Sequence, residues 1–78
     1  EYTLAKAAYD AAETSEAAKF APQIFFKMEK SFKKAEHLYK ERYYDEAREE
    51  FVRAQKLAER AETTARMKQF TSGETSED

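Results

Sequence analysis

Apolar residues recur at the spacing of a helix face through the last two-thirds of this chain, and no other feature constrains the fold as much. Phe25, Met28, Phe32, Ala35 and Tyr39 are spaced three, four, three, four. After a short break the rhythm resumes at Tyr44, Ala47, Phe51, Ala54, Ala58, Ala61 and Ala65. Such spacing lines one side of a helix with 3.6 residues per turn. Leu38 and Leu57 widen each stripe toward the breadth of a core-facing side. Only a few residues separate the two runs, so the two helices are predicted to be antiparallel neighbours.

The boundaries follow from backbone chemistry. Pro22 fixes its own φ and has no N–H, so it belongs in the first turn of a helix and ends the preceding one near Phe20. The period breaks again at 41–44. Asp45 and Glu46 then fall in a first turn, where the helix dipole favours carboxylates. No glycine occupies that second turn, so Arg42 or Tyr43 is expected in the left-handed conformation. Residues 2–20 carry the doublets Ala7–Ala8, Ala11–Ala12 and Ala17–Ala18 with larger anchors at Leu4 and Tyr9. Alanine has the best helix propensity and permits close approach, so this segment is expected to close the bundle. The fold class is all-α: an antiparallel three-helix bundle over 1–70, with helices at about 2–20, 22–41 and 45–69. At 1.5 Å per residue the third helix, roughly 37 Å, outreaches the second, roughly 30 Å. Met67 and Phe70 on that overhang have no partner in view. The acidic segment 71–78 is predicted to be disordered.

Composition narrows the function. One glycine and one proline in 78 residues exclude a turn-rich β fold. With no cysteine there is neither a disulfide nor a thiolate metal site. The net charge of −2 argues against a nucleic-acid partner, but the charges are sorted. Residues 1–18 hold Glu1, Asp10, Glu13 and Glu16 against Lys6; residues 19–34 hold Lys19, Lys27, Lys30, Lys33 and Lys34 against Glu29. An acidic first helix beside a basic second one favours their pairing by a modest Coulomb term. No apolar run approaches the roughly 20 residues of a bilayer span. The start at Glu1 rather than Met leads us to expect an upstream segment, a signal peptide or a lipid-bearing Cys. Membrane contact is expected only through such an anchor.

No constellation suits catalysis. His37 and Glu41 share a helix face, but a metal needs three or four ligands and there is no second histidine. The carboxylates Glu46, Glu50, Glu59 and Glu62 are interleaved with Arg48, Arg53, Lys56 and Arg60, as on a solvated face. Ser15, Ser31, Thr63 and Thr64 have no base placed for them, and no glycine-rich loop could cradle phosphate. We therefore expect no enzyme activity, no cofactor, no metal and no small-molecule substrate. The lysines at 27, 30, 33 and 34 read as a solvated face balancing the acidic first helix. Phe20, Ile24, Phe26, Lys30 and Tyr43 form the candidate contact surface, either covered by helix one and the termini or docking a protein partner or second copy.

The stretch Leu38–Glu59 resembles a tetratricopeptide-type hairpin. Ala35 stands at the small position where the helices touch, Tyr44 and Ala47 form the Tyr-x-x-Ala turn motif, and Phe51 and Ala54 are the large and small pair. The usual turn glycine is Arg42, the closing proline is Glu59, and the early tryptophan is missing. Over about Ala5–Ala65, an Ala-rich helix, Lys19-Phe20-Ala21-Pro22 and the hairpin are similar to an uncharacterised family of bacterial envelope proteins, many of them lipoproteins. That resemblance implies an exported, non-enzymatic accessory module on the periplasmic side of the cell envelope, with a cytoplasmic location as the alternative. A second reading is a trafficking-type adaptor similar to microtubule-interacting-and-transport domains, which bind short helical peptides. In those domains the extra helix follows the hairpin, whereas here it precedes it.

Overall fold

A computed structural model describes the backbone of residues 1–77 and side chains through Thr71. All of its regular structure is helical: α1 Tyr2–Thr14, α2 Ala17–Phe20, α3 Pro22–Lys40 and α4 Tyr44–Glu77. The helix predicted over 2–20 is therefore two helices. Glu16 holds φ at 60°, in the left-handed region, and breaks the hydrogen-bond ladder there. The freed groups find partners. The Ser15 amide donates to Ala11 O and its Oγ to Ala12 O (2.8 Å), while the Gln69 side chain of α4 donates to Ser15 O. Ser15 and Ala17 are buried at this corner, so the break drives small residues into the core. No proline or glycine signals it in the sequence.

The break at Pro22 is where its chemistry puts it. Ala21 is held at φ −141° and ψ 60°, out of the helical region as a residue before proline should be, and Pro22 takes the first turn of α3. At the other end of α3, Arg42 has φ 67°. The Tyr43 amide donates to Leu38 O (2.9 Å) and the Arg42 amide to Tyr39 O (3.0 Å), a six-to-one and five-to-two pair that closes the helix. Asp45 and Glu46 lie in the first turn of α4.

Two buried clusters hold the helices together. Ala12, Ala17, Phe25, Met28, Ala58, Ala61 and Ala65 form one. Ala5, Phe32, Ala35, Ala47, Phe51 and Ala54 form the other. In both, residues of α3 meet residues of α4 in reverse sequence order, so the two helices run in opposite directions. The α1 residues Ala5, Tyr9 and Ala12 fill the space between them. The alanine stripe of α4 is what permits this closeness: Ala58, Ala61 and Ala65 have no exposed surface.

Several expectations are corrected. Leu4 is 59% exposed and anchors nothing, whereas Tyr9 packs against both clusters. Tyr39 and Tyr44, placed in the core stripes by spacing, are 58% and 51% exposed, because α1 covers α3 and α4 only as far as Tyr2. Among the described residues no ion pair joins acidic α1 to basic α3; Tyr9 Oη donating to Glu29 Oε2 (3.1 Å) links them instead. Helix α4 continues to Glu77 rather than stopping near 69; nothing stronger than Gly73 opposes it, at about 1 kcal/mol. Met67 and Phe70 are exposed on its outer side. Over 71–78, where the sequence predicts disorder, the backbone is helical through Glu77; Asp78 and the side chains of 72–77 lie outside the described residues.

Candidate functional site

The chain reversal at Arg42 sets three tyrosines at one end of the bundle. Tyr39 sits in the last turn of α3, and Tyr43 and Tyr44 lead into α4. The rings of Tyr39 and Tyr44 meet edge-to-face with centroids 5.2 Å apart. From the other side Tyr2, the first residue of α1, reaches Phe51 (5.4 Å, edge-to-face) and Phe32 (5.9 Å). Phe32 and Phe51 are themselves stacked edge-to-face at 5.6 Å. The result is a groove with a buried Phe51 floor and walls of half-exposed Tyr2 and Tyr39.

Two adjoining concavities make up this groove. One, of about 310 Å³, is lined by Tyr2, Glu36, Tyr39, Lys40 and Phe51. The other, of about 360 Å³, shares Tyr2, Tyr39 and Phe51 and adds Tyr44, Ala47 and Arg48. The rim carries both signs of charge, with Arg48 Nε 3.6 Å from Glu1. Aromatic walls, an apolar floor and polar tips suit an apolar side chain whose backbone stays near solvent. Among the described residues no histidine or serine lines it.

The sequence-predicted contact residues do not form one surface. Phe20 and Ile24 are half-buried against the first cluster, with Lys19 Nζ 5.3 Å from the Phe20 ring centroid. Phe26 is 60% exposed on the solvent side of α3, with Lys30 Nζ 5.6 Å from its ring centroid. Tyr43 is exposed but stands seventeen residues from Phe26, roughly 25 Å along the axis. Tyr43 lies at the same end of the bundle as the tyrosine groove but does not line it; Tyr39 and Tyr44, which do, are assigned to the core by spacing alone. The signal was available: Leu38-Tyr-Lys-Glu-Arg-Tyr-Tyr44 puts amphipathic rings around a turn, where burial is hardest to complete.

Other polar groups lie away from the groove. His37 is exposed in the last turn of α3. Glu50, expected on the wet face, is the one buried charged residue among those described; Arg53 pairs with it, and Lys34 Nζ lies 4.0 Å away. The Tyr9 hydroxyl is pushed up to about 12 by burial, reinforced by its bond to Glu29 and by the carboxylates of Glu29, Glu13 and Asp10. Among the described residues no three His, Asp or Glu side chains converge as a metal site requires. No helix is long and apolar enough to cross a membrane among the described residues.

These features define a small all-helical domain with an aromatic groove at one end. Residues 1–71 match the family model described as Domain of unknown function (DUF4398), and the chain belongs to that family. No curated protein and no solved structure matches it.

Proposed function

We propose that this domain is a non-enzymatic protein-interaction module of a bacterial cell envelope, on the periplasmic side, and that it holds its partner in the tyrosine groove. The observation that carries this reading is the convergence of half-exposed Tyr2, Tyr39 and Tyr44 on Phe51. Tyrosines give large contact areas while ordering only two side-chain torsions each, and they are enriched where proteins bind tightly.

The scaffold reads as a tetratricopeptide-like hairpin made by α3 and α4, preceded by a covering helix. Two details support this. Arg42, where such repeats carry glycine, holds positive φ. Ala35, at the small position, shares a cluster with Ala47, Phe51 and Ala54. The envelope location rests on the resemblance carried by the Ala-rich first helix, Ala21-Pro22 and the alanines that follow.

A photo-crosslinking residue in place of Tyr39 or Tyr44, in the native bacterium, tests the reading. A defined protein adduct is expected from both positions and none from Glu59 on the outer side of α4. Equal adducts from all three positions, or recovery of the protein in the cytosol, would count against it.

A further inference from the structure

The solvent side of α3 carries a second feature that the groove does not use. Phe26, Lys30, Lys33 and His37 are exposed at helical spacings of four, three and four, and exposed Lys27 and Lys34 flank that line. The two carboxylates within 26–37 face elsewhere. Glu29 is turned toward α1, where it accepts from Tyr9, and Glu36 lines the tyrosine groove. Of the four lysines only Lys34 is engaged in an ion pair among the described residues, at 4.0 Å from Glu50. Among those residues Lys27, Lys30 and Lys33 have no carboxylate partner, although α1 beside them is acidic.

A surface of this kind calls for an anion, and a broad plane of negative charge matches it better than a second copy of this chain. A second copy would offer only scattered carboxylates: Asp10 is paired with Lys6 at 3.3 Å, Glu13 and Glu16 stand exposed at and just past the end of α1, and the outer side of α4 mixes both signs. The face is also straight, and Phe26 stands proud of it rather than beside a cleft. A peptide would find no pocket there. A plane of anionic headgroups with an apolar layer beneath would meet lysines and ring together.

We infer that the solvent face of α3 is a docking surface for an anionic lipid bilayer, with Lys27, Lys30, Lys33 and Lys34 against headgroup phosphates and Phe26 entering the interface. The net charge of −2 does not cancel this attraction. Charges on the far sides of the bundle lie beyond the Debye length of about 8 Å at physiological salt, whereas the lysines lie within it. Membrane contact then comes from this chain itself, in addition to any anchor upstream.

Vesicle co-sedimentation of the 78-residue chain tests the inference, with phosphatidylglycerol–phosphatidylcholine vesicles against pure phosphatidylcholine. Binding is expected only to the anionic vesicles and is expected to fall steeply as salt rises. Each lysine near the surface is worth about fivefold in partitioning, so changing Lys27, Lys30 and Lys33 together to Gln lowers it about a hundredfold. Lys56→Gln, on α4, leaves it unchanged. Phe26→Trp gives the chain its only tryptophan, whose emission shifts to the blue on anionic vesicles and not on neutral ones. Circular dichroism of each variant separates lost binding from lost folding. The inference is overturned by equal binding to both vesicles, by an unshifted tryptophan emission from the Phe26→Trp variant, or by tighter binding to a DNA duplex at the same salt.

Discussion

Arg42 is a place where sequence and backbone disagree, and the disagreement can be measured. Its φ of 67° puts an L-residue with a side chain in the left-handed region, which costs roughly 1–2 kcal/mol. Glycine removes that strain but gives the unfolded chain more freedom, returning about 0.5–1 kcal/mol. The backbone part of the gain from Arg42→Gly is therefore about 0.5–1 kcal/mol. Removing the guanidinium also loses a favourable charge at the C-terminus of α3, about 0.3–1 kcal/mol. Arg42→Ala loses that charge too, while retaining the strain. The difference between the two variants isolates the backbone and should be about 1 kcal/mol in favour of glycine. For a domain of this size that corresponds to roughly 4–8 °C in Tm. Urea and thermal melts of the two variants side by side supply the number. A glycine variant no more stable than the alanine variant would refute the left-handed turn, and with it the placement of the three tyrosines that the turn organises.

Four further outcomes are expected. Glu16→Gly should stabilise by a similar amount, and its effect should add to that of Arg42→Gly within about 0.5 kcal/mol, since the two turns share no partner; melts of the double variant check this. Tyr9→Phe should lose about 0.5–1.5 kcal/mol with the bond to Glu29. Tyr9 titrates near 12 when folded against 10.0 when unfolded, so its contribution is complete below pH 10 and fades as pH rises toward 12; urea melts at pH 8 and pH 11 should show that alkaline loss in the parent and not in the phenylalanine variant. Ala61→Leu, at a position with no exposed surface, should overpack the first cluster by about 1–3 kcal/mol, while Ala18→Leu, which is exposed, stays within about 0.5 kcal/mol by thermal melting. Gln69→Ala should leave Ser15 O without its donor and speed amide hydrogen exchange in α2 before the rest of the bundle.

Much of the packing was legible because it is periodic. Phe25, Met28, Phe32 and Ala35 on one run, and Ala47, Phe51, Ala54, Ala58, Ala61 and Ala65 on the other, are buried as their spacing predicts. Pro22 marked its boundary because a missing N–H is a property of one residue. The break at Ser15–Glu16 was not legible, since it depends on Gln69, fifty-four residues away, reaching a carbonyl that only the break exposes. The burial of Glu50 was equally hidden: the position reads as charged, and only the arrangement of α3 beside it supplies Lys34. The groove was missed for a third reason. Periodicity reports which side of a helix a residue occupies, not whether a neighbour extends far enough to cover it, and Tyr39 and Tyr44 lie past the reach of α1.

The groove exists only if the start of α1 lies across Phe32 and Phe51, and that contact can be observed directly. In a NOESY spectrum of the 78-residue chain, the ring protons of Tyr2 should give cross-peaks to those of Phe51 and Phe32, whose centroids lie 5.4 Å and 5.9 Å away. Random-coil shifts for residues 2–14, with no Tyr2 cross-peak to either phenylalanine, would contradict the account.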